Sequence, residues 1–335
     1  MIGTPLRAAV VGTGAWGTTF SAVLNDAGCR VTMFGREVDV CAEIERDHRN
    51  TTHVPGVELA PEIRATTDPE DALPGADLVV IAVPAQIARS ALEPLAELVP
   101  TAAVAVSLMK GVELTSHLRM SQVLAEALRL AEHRIAVVSG PNLAREIADR
   151  QPTATVVASS SEETARYVAE ACASSYFRPY TNTDVVGVEL CGAVKNVIAV
   201  AVGIAQGVGY GNNTAATVIT RGLVEITRLG LALGADAATF AGLAGMGDLV
   251  ATCASPLSRN HSLGVQIGQG RSLADALAAS EGVAEGVKSS ESVLELARTV
   301  GVEMPITDAV VQVLHHGLPV DQMAQLLLAR PHKAE

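Results

Sequence analysis

The sequence predicts an α/β doubly wound domain over residues 1–185, followed by an all-α domain over residues 186–335. Strand and helix patterns alternate through the first half of the chain, and strand patterns stop after Val186. The glycine-rich segment Gly12-Thr13-Gly14-Ala15-Trp16-Gly17 closes the first strand pattern. Alternation of this kind builds a mostly parallel sheet with helices on both faces. At 335 residues the chain is long enough for two separate cores.

Residues 7–11 read as a strand, 16–27 as a helix and 31–34 as a second strand. Residues 77–83 form a near-continuous apolar run, the type expected of a strand buried on both faces of a parallel sheet. Segments 104–107, 135–139 and 153–158 repeat that pattern, with helical periodicity over 85–98, 118–131 and 161–173. A short strand over 177–180 closes the sheet. Beyond it, long Ala/Leu/Val stretches separated by Gly-rich turns predict helices only.

Apolar residues make up 49% of the chain and aromatic residues only 3%, so its cores must be built from Ala, Val, Leu and Ile. The longest uninterrupted apolar stretch, 197–205, is too short to cross a bilayer, and no membrane contact is expected. No basic region precedes an apolar stretch at the N-terminus, because residues 8–11 run straight into glycines. A cytoplasmic location is the expectation. Cys29, Cys41, Cys172, Cys191 and Cys253 are scattered, odd in number and without metal-ligand spacing, which fits reduced thiols and no metal centre. A net charge of −12 disfavours nucleic acid and anionic membranes as partners, so an anionic small ligand needs a local cationic site.

Within the glycine segment, Gly12 permits a tight turn, Gly14 admits a pyrophosphate close to the backbone, and Gly17 lets helix and strand pack. The following helix, read from Trp16, offers N–H groups and a positive dipole end to phosphates. At the end of the second strand stand Arg36 and Glu37. An arginine there suits a 2′-phosphate and favours NADPH, whereas an acid suits the ribose of NADH, which stays possible.

Lys195 is the one cation in an apolar segment, with no further formal charge until Arg221. A desolvated lysine can exchange its proton near neutral pH, which arginine cannot, so Lys195 is a candidate acid/base; a helix-end lysine reaching for water is the plainer alternative. Lys110 and Ser139-Gly140-Pro141-Asn142 each follow a predicted strand, at the sheet edge where doubly wound folds bind ligands. There Asn142 would cap a helix or meet a ligand. In the second half, Gly245-Met246-Gly247-Asp248 places a carboxylate in a small-residue turn, and Ser258-Arg259-Asn260 offers a guanidinium, a hydroxyl and an amide at a helix start. A forked, permanently charged arginine suits phosphate.

With Gly192-Ala193-Val194-Lys195-Asn196, Lys110-Gly111, Glu285-Gly286 and Gly301-Val302-Glu303-Met304-Pro305-Ile306, these segments span almost the whole chain. Together they resemble the NAD(P)-dependent glycerol-3-phosphate dehydrogenases of the bacterial soluble type. The resemblance implies an N-terminal Rossmann-like domain, a helical substrate domain and a homodimer. It further implies reversible reduction of dihydroxyacetone phosphate to sn-glycerol 3-phosphate for glycerophospholipid synthesis. By the same resemblance Lys195 is the proton donor and acceptor. Lys110, Gly140, Asn142, Asp248, Ser258, Arg259 and Asn260 meet the substrate; Ala15, Trp16, Arg36, Lys110, Ala144, Arg259, Val283 and Glu285 meet the cofactor. The chain departs from the family pattern at Asn142, where many relatives carry Ser or Thr, and at Glu37, where some carry a second basic residue. Two other expectations remain: another two-domain dehydrogenase acting on hydroxyacids or ketopantoate-like substrates, and a nucleotide-sensing protein without catalysis.

Overall fold

The computed structural model describes residues 5–279 and 284–323, and its alternating first half forms one eight-stranded sheet. The strands are β1 (Arg7–Val11), β2 (Arg30–Phe34), β3 (Arg64–Thr66), β4 (Leu78–Ile81), β5 (Val104–Ser107), β6 (Ile135–Ser139), β7 (Thr153–Ala158) and β8 (Phe177–Asn182), in the order β3-β2-β1-β4-β5-β6-β7-β8. All neighbours pair in parallel except β6 and β7, which run antiparallel. Every residue of β4, β5 and β6 is buried, which is why these strands read as unbroken apolar runs. Apolarity carries no direction, so the reversal at β7 is invisible in the sequence.

The helices of this half are α1 (Ala15–Asp26), α2 (Val38–Asp47), α3 (Pro69–Ala72), α4 (Ala88–Leu92), α5 (Met120–Leu128), α6 (Ala144–Ala148) and α7 (Glu162–Cys172). The helix expected over 85–98 is broken: α4 is flanked by 3-10 turns at Ala85–Ile87 and Glu93–Leu95. Pro94, which has no N–H to give, stands in the second of these turns. The sequence patterns also miss β3, α2, α3 and α6, of which β3 has only three residues and α6 five, too few for a period. Core aromatics are few. Phe20 meets Phe177 edge-on at 6.1 Å, and Trp16 meets Phe20 at 5.5 Å.

From Val185 onward the described residues form helices without strands. They are α8 (Val185–Val208), α9 (Asn212–Ala232), α10 (Ala237–Ala241), α11 (Asp248–Ala254), α12 (Arg259–Gly268), α13 (Leu273–Ala278), α14 (Glu285–Thr299) and α15 (Pro305–His315). Contacts divide the chain into two compact units, Met1–Lys110 with Arg119–Val188, and Gly111–Leu118 with Glu189–Glu335.

At 24 residues α8 is much longer than the apolar stretch read at 197–205, and by length and composition it could cross a bilayer. Yet 89% of its most apolar window is buried inside the protein, so its apolarity serves a core.

Where α8 meets α12, glycines face glycines. A Cβ at Gly203 would lie 2.2 Å from the His261 carbonyl oxygen, and one at Gly264 would lie 2.3 Å from that of Val200. One turn further on, Gly207 and Gly268 repeat the arrangement at 2.3 Å each. The two backbones touch directly, which sets their register. Elsewhere in this unit, the buried Glu225 on α9 caps α15, accepting the Ile306 N–H at 2.6 Å and the Thr307 N–H at 3.3 Å. It thereby satisfies helix-end donors that would otherwise lack partners.

Candidate active site

The glycine turn leaves room in one direction only. Gly12 has φ +115°, and a Cβ there would lie 2.6 Å from the Ala82 carbonyl oxygen. A Cβ at Gly17 would lie 2.2 Å from the oxygen of Gly12, whereas one at Gly14 meets nothing within 4 Å. Gly14 also begins α1 with no side-chain cap, so the first N–H groups of the helix remain available to a ligand. Trp16 Nε1 is buried without a hydrogen-bond partner. An open face at Gly14, an uncapped helix start and an orphaned donor together fit a dinucleotide pyrophosphate.

Arg36 is exposed just beyond β2, and Glu37 caps nothing with its side chain although it occupies the N-cap position of α2. At the ends of β5 and β6, Lys110 Nζ donates to the Gly140 carbonyl at 3.2 Å, and that oxygen also accepts the Asn142 N–H at 2.7 Å. Lys110, Gly140 and Asn142 therefore come together as predicted. Asn142 is not a helix cap, however: Leu143 holds the N-cap position of α6, and Asn142 Nδ2 donates instead to Thr155 Oγ1 at 2.9 Å. Its buried Oδ1 has no partner and remains an acceptor for a ligand. Ala144 opens α6 and is tied to α1, its carbonyl accepting from Thr19 Oγ1 at 3.3 Å.

In the helical unit Lys195 does not reach for water. Its side chain is 8% exposed, and its Nζ donates to Asp248 Oδ1 and, at 2.7 Å, to Thr252 Oγ1; Asp248 is 1% exposed. Thr252 Oγ1 in turn lies 3.3 Å from Asp248 Oδ1 and donates to it. Burying an ammonium without such partners would be prohibitive.

The small-residue turn expected before Asp248 is instead a π-helical segment, Leu243–Gly247, running directly into α11. Glycine makes it possible: a Cβ at Gly245 would lie 2.1 Å from the Phe240 oxygen. Asp248 is thus the first residue of α11, continuous with the π-helical turn before it. Beside it, burial pushes the Cys253 thiol up to about 12, an effect that Lys195 opposes and Asp248 reinforces.

Ser258 is the N-cap of α12, its Oγ accepting the His261 N–H at 3.3 Å. Arg259 is exposed as a residue, yet its guanidinium is crowded enough for desolvation to lower its pKa, and Glu285 at the start of α14 opposes that. Arginine remains charged under either influence.

Asn260 is buried, and its Oδ1 accepts the Gly286 N–H at 2.9 Å. That bond fixes the amide, leaving Nδ2 as a donor. A Cβ at Gly286 would lie 2.7 Å from the Asn196 oxygen and 2.9 Å from Asn260 Oδ1, so α14 starts hard against the residue that follows Lys195. Val283 lies outside the described residues.

Sequence patterns missed Thr252. It stands four places after Asp248 on one helix face, a spacing that a helix in place of the turn would have revealed. Asn50 was missed as well: it is buried, and its Nδ2 donates at 2.8 Å to both the Thr13 oxygen and Thr18 Oγ1, bracing the glycine turn.

Residues 7–165 match the N-terminal domain of NAD-dependent glycerol-3-phosphate dehydrogenase, and residues 184–325 match its C-terminal domain. The chain is 54% identical over 331 residues to glycerol-3-phosphate dehydrogenase [NAD(P)+] of Streptomyces griseus, covering 99% of this chain and 98% of that one. It is 54% identical over 330 residues to the protein of the same name from Thermobifida fusca, covering 98% of each. Among solved structures, a glycerol-3-phosphate dehydrogenase from Coxiella burnetii superposes with a TM-score of 0.93 at 34% identity, covering 97% of this chain and 99% of that one.

Proposed function

The chain belongs to the NAD-dependent glycerol-3-phosphate dehydrogenase family and is an NAD(P)-dependent oxidoreductase; from that premise we propose that it interconverts dihydroxyacetone phosphate and sn-glycerol 3-phosphate, with Lys195 moving the proton. The observation that carries the proposal is the buried Lys195, held by a carboxylate and a hydroxyl in a helical unit that also carries Arg259 and Asn260.

Residues 1–185 bind the dinucleotide, through Gly12, Gly14, Ala15, Trp16, Gly17 and Arg36. Lys110 and Ala144 complete that set on the same unit, and the family resemblance adds Arg259 and Glu285 to the cofactor contacts. When bound, the reduced nicotinamide supplies the hydride. In the direction of ketone reduction, the Lys195 ammonium stabilises the negative charge that grows on the carbonyl oxygen, then protonates it. In the reverse direction the neutral amine removes the hydroxyl proton. Asp248 and Thr252 hold Nζ in place in both states, so the proton moves without loss of geometry. Arg259, with Ser258 and the Nδ2 donor of Asn260, takes the phosphate, and Lys110, Gly140 and Asn142 contribute the remaining polar contacts. Binding energy from a phosphate remote from the reacting carbon then serves to orient the carbonyl. A cytoplasmic homodimer supplying glycerophospholipid synthesis is the setting that this reaction suits.

The test is consumption of NADPH, with NADH in parallel, after dihydroxyacetone phosphate is added to purified protein. Rapid consumption is the expected result. Nucleotide binding without consumption would overturn the substrate assignment and favour a sensing role.

A further inference from the structure

Two neighbours at the end of β2 make opposite demands on a nucleotide, since Arg36 suits a 2′-phosphate and Glu37 suits a bare ribose. Their surroundings are not symmetrical. Glu37 Oε2 is engaged by His53 Nε2 at 2.8 Å, whereas no ion pair involves Arg36 among the described residues. In either charge state the imidazole can donate Nε2–H to that oxygen.

His53 is itself held in place. Its backbone N–H donates to Asn50 Oδ1 at 3.1 Å, and the same Asn50 amide braces Thr13 and Thr18 in the glycine turn. The adjoining Thr51 is anchored to α2 through Glu43, which accepts from its N–H at 3.0 Å and from its hydroxyl at 2.7 Å. A continuous hydrogen-bonded chain thus runs from the pyrophosphate turn through Asn50 and His53 to Glu37.

The geometry points to His53 as the residue that sets the choice between NADPH and NADH, by engaging an oxygen of the Glu37 carboxylate while the Arg36 guanidinium stays free for a 2′-phosphate. His53 is a positioning residue here, because it acts through Glu37. The inference rests on the nucleotide site proposed above. Without His53, the carboxylate would regain both oxygens for ribose hydroxyls and be free to turn toward Arg36, where it would repel the phosphate. At the separations of neighbouring side chains near a surface, that repulsion amounts to about tenfold in affinity.

The experiment measures dissociation constants of NADPH, NADH and 2′,5′-ADP for the full chain, by calorimetry and by quenching of Trp16, the sole tryptophan. For His53→Ala, the preference for NADPH over NADH is expected to fall about tenfold, with 2′,5′-ADP weakened in parallel. Adding Glu37→Gln to that variant is expected to restore the preference. Glu37→Gln alone should shift it by less than about twofold, since the new amide oxygen can still accept from His53 and the charge removed is an exposed, screened one. A merely structural role for His53 would weaken both nucleotides together and would not be rescued at Glu37. An unchanged ratio in His53→Ala, or a large effect of Glu37→Gln alone, overturns the inference while leaving the nucleotide site intact. Failure of the unmodified chain to bind any of the three ligands overturns the site and the inference together.

Discussion

A residue that must both release and recover a proton needs partners suited to each of its states. In the role proposed for Lys195, Asp248 and Thr252 would meet that need: one carries the countercharge, and the other can accept from the ammonium or donate to the carboxylate. Lys195→Ala should leave nucleotide titrations unchanged and lower kcat by about 10²-fold or more. Thr252→Val, which keeps the shape and removes the hydroxyl, should lower kcat by about tenfold, roughly the value of one hydrogen bond to a charged group, with little change in KM. The Asn260 amide has its oxygen committed to Gly286. Asn260→Asp would therefore replace the Nδ2 donor with a second oxygen, and KM for glycerol 3-phosphate should rise about tenfold or more in steady-state assays. Lys195 was legible because a lone cation in an apolar run needs a reason to be there. Thr252 was not, since its meaning depends on α11 beginning at Asp248, and glycines in Gly245–Asp248 suggest a turn as readily as a π-helical segment.

Among the elements, glycines divide into those that admit a ligand and those that admit a neighbouring backbone. Gly14 has φ −68° and open space where a Cβ would stand, so Gly14→Ala should leave the urea midpoint unchanged and weaken NADPH binding. Gly203→Ala and Gly264→Ala force a Cβ into a backbone and should each cost about 1–3 kcal/mol or more in urea titration. The order of elements was readable wherever they were apolar and buried, as in β1, β4, β5, β6 and α7, but not at the half-exposed α2. It failed at β3, α3 and α6, which are shorter than the period needed to detect them, and at 85–98, where a proline divides one apparent helix. The direction of β7 has no apolar signature at all.

Across the whole molecule, all five cysteines are buried and none is in a disulfide, as reduced thiols would be. Burial pushes the thiols of Cys29, Cys172 and Cys253 up to about 11, about 12 and about 12, with Asp77 adding to the first. Because the folded state keeps these protons longer than the unfolded chain does, the stability they contribute is full below about 9 and is lost as pH rises toward about 12. The urea midpoint should therefore fall between pH 9 and pH 11, and Cys172→Ala should flatten that decline. A two-part architecture was legible at this scale because strand patterns stop where α8 begins. The α8–α12 contact was not, since each Gly-x-x-x-Gly gains meaning only from the other. That mutual dependence reaches into how such a protein can be recombined. With backbone against backbone there is no side chain to repack, so a chimera that takes α8 from one relative must take α12 from the same parent. Lys195 on α8 and Arg259 on α12 are then inherited together, as a single cassette.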